Sequence, residues 1–121
     1  MSSPRQASIR AALQAAVKTA MKARDRDALS VYRTALAAID NAEAVPIDAG
    51  QRAGAIEASP VGVGTQDAVR RELTEQEIAD IVRREAADRR ATAASLDGAA
   101  PERAARLRDE AGLLERITSV G

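Results

Sequence analysis

Leu73-Thr74-Glu75-Gln76-Glu77-Ile78 is the stretch on which the fold turns. Thr74 followed three residues later by Glu77 is the capping-box pattern. The threonine hydroxyl can accept from the amide of the third helical residue, and the glutamate can reach back to the threonine's own amide. Leu73 and Ile78 stand where a hydrophobic staple puts its two apolar residues. The spacing predicts a helix that opens after Thr74, runs to about Leu96 and stops at Asp97-Gly98. Ile78, Ile81, Val82, Glu85, Arg89 and Leu96 share one face of it.

The same three- and four-residue spacing recurs on both sides. A first helix is expected from about Pro4 to Arg24, with Ser3 as cap and Pro4 at the first helical position, where its missing N–H costs nothing. Ile9, Leu13, Ala16, Val17, Ala20 and Met21 form its apolar face, and Lys18 and Lys22 point away. Asp25-Arg26-Asp27 punctuates the chain, with Asp27 read as the N-cap of a second helix. Its stripe is Ala28, Leu29, Tyr32, Ala35, Leu36 and Ile39, with Arg33 on the margin and an end near Ala42 to Ala44. A fourth helix is expected from Pro101, carrying Leu107, Ala111, Leu114 and Ile117 on one face. Between the second and third helices, Val45 to Glu72 holds Pro46, Gly50, Gly54, Pro60, Gly62 and Gly64 without periodicity. That is long for a connection inside a compact domain and reads as a mobile excursion ahead of a functional one. The expectation is an all-α fold: a small antiparallel bundle of about four helices with a long Gly/Pro-containing loop between helices 2 and 3, forming one domain over residues 1–121.

Composition agrees. Tyr32 is the sole aromatic residue, so the core must be built from Ile, Leu, Val, Met and Ala, which suits close-packed helices and argues against a sheet. Eighteen basic residues balance eighteen acidic ones, but unevenly: Met1 to Arg24 holds five basic residues and no acidic one. No apolar run is long enough to span a bilayer, so no membrane association is expected. The acid-free N-terminus has the composition of a transit peptide, yet it also fits the bundle as its first helix, and a cytoplasmic location is expected.

Much chemistry is excluded. Without histidine or cysteine, Ser-His-Asp and Cys-His nucleophilic sites, disulfides, most zinc sites and Glu-x-x-His di-iron sites are ruled out. Asp25-x-Asp27 lacks the further acid and the glycine of a calcium loop. Gly62-Val63-Gly64-Thr65 lacks the Gly-Lys-Ser/Thr half of a phosphate-binding loop. No catalytic residue, metal or cofactor is expected.

Two groups of side chains remain. Glu85 and Arg89 interrupt the apolar stripe of the third helix, four residues apart with the acid first, the favourable order for an intrahelical pair. They are either a half-buried structural pair or a polar notch for a partner's backbone, amide or phosphate, to which Arg33 and Asn41 of the second helix could contribute. Lys18, Lys22, Arg24 and Arg26 form a basic pole that could contact phosphates. An outer face of lysines is equally the mark of a solvated helix; with no aromatic stacking platform, single-stranded base recognition is disfavoured, and structured RNA read by shape and phosphate position stays open.

Together these stretches resemble the GatB/YqeY family. The residues that carry the likeness are Ala20-Met21-Lys22-Ala23-Arg24-Asp25, Leu29-Ser30, Arg33, Leu36-Ala37-Ala38-Ile39-Asp40-Asn41-Ala42-Glu43, Arg70-Arg71-Glu72-Leu73-Thr74-Glu75-Gln76-Glu77-Ile78, Arg84-Glu85 and Arg89-Arg90. The resemblance covers most of residues 9–92 and extends to the first helical module of the family only. Ile117-Thr118-Ser119 stands where the family runs on through Tyr-Leu-Pro into a three-helix module, which is expected to be absent here. Tyr32 stands where leucine is usual. The resemblance implies an accessory role like that of the tail of the tRNA-dependent amidotransferase B subunit, which holds tRNA without performing chemistry. A tRNA or RNA-handling complex is then the expected partner. Two other functions fit the sequence: a protein-interaction or self-associating helical domain, forming a homo-oligomer, and a contribution to carbon–nitrogen ligation with glutamine as amide donor inside a larger assembly.

Overall fold

A computed structural model describes residues 8–44 and 71–119 of the chain. These form four helices: α1 (Ile9–Ala23), α2 (Arg26–Glu43), α3 (Glu75–Leu96) and α4 (Pro101–Ser119). The described residues contain no strand, as an all-α bundle requires. The expected loop lies outside them apart from Arg71 and Glu72, as do Ser3 and Pro4.

Each helix begins for a local chemical reason. The capping box of α3 is formed: the Glu77 amide donates to Thr74 Oγ1 at 3.0 Å, and the Thr74 amide donates to Glu77 Oε1 at 2.8 Å. The first helix is capped by Ser8, whose hydroxyl accepts from the Ala11 amide at 2.9 Å, so it opens at Ile9 and not near Pro4. The second is capped by Asp25 and not by Asp27. Asp25 Oδ1 accepts from the Ala28 amide at 3.1 Å, and Asp27 falls in the first turn, where its charge suits the positive helix end.

Arg24 is the reason for that shift. It adopts the left-handed conformation (φ 58°, ψ 36°), its amide donates to Met21 O, and the next amide, of Asp25, donates to Ala20 O at 2.9 Å. This is a Schellman closure, which turns the chain back within two residues and leaves Asp25 as the only residue free to cap α2.

The ends then fall into register. The Ile9 amide donates to Glu75 Oε2 at 2.5 Å, and the Arg71 amide donates to Glu43 O at 2.8 Å. The start of α1, the end of α2 and the start of α3 therefore meet at one end of the molecule, giving up-down-up-down topology. Leu13, Val31, Ala35, Ile39, Ile78, Val82, Ala86, Ala111 and Leu114 make the shared core, with Ile9, Tyr32, Leu36, Leu73, Ile81 and Ile117 packed against it. Met21, placed on the apolar face of α1 by its spacing, is 53% exposed.

That core spans only part of the long second hairpin. The α1–α2 turn lies beside the middle of α4, where Asp25, Asp27 and Ala28 line a groove with Asp109, Glu110 and Leu113. Beyond that level α3 and α4 pack on each other, and the buried residues are the alanines Ala93 and Ala104, both 0% exposed. Alanine lets helices approach closely but buries little apolar area. The molecule is thus a four-helix core with a two-helix extension, and a step where they join.

Candidate functional site

The step is occupied by charge. Arg89 Nη1 donates to Glu85 Oε1 at 3.2 Å and to the Glu85 carbonyl at 3.1 Å, while Arg89 Nε donates to Glu110 Oε1 at 3.3 Å. The three side chains retain 16%, 24% and 19% exposure for Arg89, Glu85 and Glu110 respectively, so they are half-buried and mutually satisfied. The Glu85–Arg89 pair is where its spacing put it. Glu110 is the member of the cluster outside the sequence-based expectation, although its position three residues after Leu107 and four before Leu114 places it on the inward side of α4. That spacing was the available signal. Two carboxylates share one guanidinium, so the cluster carries an excess negative charge.

Arg33 and Asn41 do not join it. Both are exposed on α2, and neither forms a hydrogen bond or ion pair with Glu85 or Arg89 among the described residues. Arg33 instead shares the outer face of α2 with Arg26, Leu29, Ser30, Thr34 and Ala37. The expected four-residue notch is therefore divided: a Glu85–Arg89–Glu110 cluster at the step, and Arg33 among the cations of the first hairpin. The physical reason is helical phase. Arg33 lies two residues from the buried Val31 and Ala35, half a turn away from the core.

The basic pole is present and open. Lys18, Lys22, Arg24 and Arg26 are all exposed. From Ser8 to Ala44 the basic side chain with a carboxylate partner among the described residues is Arg10, bonded to Asp40 at 3.2 Å and to Glu43. The second hairpin is different. There Arg71 pairs with Glu77, Arg83 with Asp80, Arg90 with Glu115 and Arg108 with Asp97, besides Arg89. Of the six described cations on the first hairpin Arg10 alone is tied to an acid, whereas on the second hairpin five of nine are, leaving Arg84, Arg103, Arg106 and Arg116 without an acid partner among the described residues.

The titration shifts belong to the struts and the cap. The Thr74 backbone N–H, with Arg71 nearby, holds the Glu77 carboxyl below its ordinary value of 4.5. Arg90 grips Glu115 with Nε and Nη2, each at 2.6 Å, and this bidentate bond lowers the Glu115 carboxyl and raises the Arg90 guanidinium. Among the described residues no group of three His, Cys, Asp or Glu is placed to hold a metal ion, and no helix is long and apolar enough to cross a membrane.

No protein-family model, no curated protein and no solved structure matches the chain.

Proposed function

We propose that this protein is a non-catalytic helical accessory domain that docks on structured RNA, tRNA in the first instance, through the basic pole of its first hairpin. The observation that carries this reading is the partition of the cations. Lys18, Lys22, Arg24 and Arg26 are exposed, clustered around one turn and have no carboxylate partner among the described residues, whereas five of the nine described arginines of the second hairpin are tied to acids. Unpaired cations cost nothing to transfer from counter-ions to phosphates, and each phosphate neutralised steepens the dependence of binding on salt. The accessory role fits the resemblance to the amidotransferase tail, and the missing nucleophile–base pairs argue against chemistry of its own.

The test is fluorescence anisotropy of labelled bulk tRNA across a salt series, for the parent chain and for Lys18→Glu/Lys22→Glu. Micromolar binding that falls steeply with salt and weakens at least tenfold in the double variant is the expected result. Binding indifferent to the double change removes the electrostatic docking. No binding at low salt removes the RNA role and turns the search to a protein partner.

A further inference from the structure

The outer face of α2 carries a strip that begins at Arg26 of the basic pole and continues beyond it. Arg26, Ser30, Arg33 and Thr34 share one exposed face of α2 with Leu29 and Ala37. The two arginines are seven residues apart, roughly 10 Å along the helix axis, on the same side of α2. The hydroxyls lie on that same strip, Ser30 between the arginines and Thr34 next to Arg33.

Two properties mark this strip as a surface awaiting a ligand. Arg26 and Arg33 lack a carboxylate partner among the described residues, even though Asp25 and Asp27 flank Arg26 in the chain. The hydroxyls are unspent as well. On the second hairpin, Thr92, Ser95, Thr118 and Ser119 each donate to a carbonyl of their own helix, at 3.0, 2.8, 3.0 and 3.3 Å. Ser30 and Thr34 make no such bond, nor any other among the described residues. A mid-helix hydroxyl that does not bond back to its helix keeps its donor for something outside.

Guanidinium forks and hydroxyl donors are side chains that contact phosphate oxygens. In an A-form duplex the major groove is too deep and narrow for side chains to read, so such a strip meets phosphates and 2′-hydroxyls. Tyr32, the sole aromatic residue, is packed against the core and offers no stacking platform for unpaired bases.

We infer that the Arg26–Ser30–Arg33–Thr34 strip on α2 grips the phosphodiester backbone of a duplex RNA segment, extending the interface from the lysines of α1 onto α2. This rests on the RNA-docking reading above and assigns Arg33, until now without a role, to phosphate contact independent of base sequence.

The experiment uses the full chain against two labelled RNA duplexes of unrelated sequence and a single strand of equal length, each across a salt series. Arg33→Glu and Ser30→Ala/Thr34→Ala are compared with Arg84→Glu, an exposed α3 arginine without a described acid partner. The parent should bind both duplexes alike and the single strand more weakly. Arg33→Glu should weaken duplex binding about three- to tenfold and lower the salt slope by about one, while the hydroxyl variant weakens it with the slope unchanged. Arg84→Glu should match the parent. Matching helical circular dichroism confirms that each variant is folded, as expected for exposed positions. If the parent binds duplex and Arg33→Glu behaves like Arg84→Glu, the strip is overturned and the docking role stands. A parent that prefers the single strand overturns the duplex assignment, and a parent that binds no RNA overturns both.

Discussion

Arg24 is the non-glycine residue with positive φ among those described, and it sits where helices commonly place glycine. Its Cβ crowds the following carbonyl in this conformation, a strain that glycine lacks. Arg24→Gly should therefore leave thermal stability unchanged or raise it, by up to about 1 kcal/mol, while weakening tRNA binding through the lost cation. Thermal melts and anisotropy on the same sample separate the two effects. Thr74→Ala removes the Oγ1 acceptor of the capping box and should cost about 1 kcal/mol in urea unfolding. The box was legible because all its parts lie within four residues of sequence. The cap of α2 was not, because the choice of Asp25 over Asp27 depends on a left-handed turn that no glycine announces. Ser8 was passed over for a similar reason: the better-known signal, Ser3-Pro4, stood upstream.

At the scale of elements, the step between core and extension makes unequal demands on its residues. Arg89→Ala leaves Glu85 and Glu110 facing each other without a cation at half-buried positions, and should cost about 1–2 kcal/mol, less than for a fully buried pair. Restoring the balance with Glu110→Gln in the same chain should recover part of that loss, as a double-mutant cycle would read. Further out, Ala104 is fully buried against α3, and Ala104→Leu should cost about 1–3 kcal/mol by forcing the two helices apart. Hydrogen exchange should show the loss concentrated in residues 90–104. The Glu85–Arg89 pair could be read from one helix, since both members lie on one turn spacing. Glu110 depends on how α4 aligns with α3, which no single periodicity contains. Val31 lies outside the expected stripe because that stripe runs through Leu29 and Tyr32, whereas the buried arc of Ala28, Val31, Ala35 and Ile39 is centred between Val31 and Tyr32, on the side away from Leu29.

For the whole molecule, the acids matter at low pH. Glu77 and Glu115 have folded-state values below the ordinary 4.5, so their contribution is complete above that value and is lost as pH falls through the lowered ones. The melting temperature should drop as pH is taken below 4.5, and Glu77→Gln/Glu115→Gln should flatten that drop. Leu114→Ala, at 0% exposure in the shared core, should cost about 2–5 kcal/mol, a large share of what a domain of this size commands. The helical architecture was legible from periodicity because it follows from burial alone. The division of the cations between the hairpins was not, since pairing is a property of helices brought together. One last consequence follows from the turn at Arg24. Bringing Arg24 and the extended Asp25 (φ −93°, ψ 90°) into the right-handed helical region would fuse α1 and α2 into one rod of roughly 50 Å, with both apolar faces exposed and ready to complete the core of another copy. The chain therefore holds a latent route to a domain-swapped dimer. Arg24→Val, whose β-branch opposes the left-handed conformation, is the change expected to populate it, with light scattering after refolding as the readout.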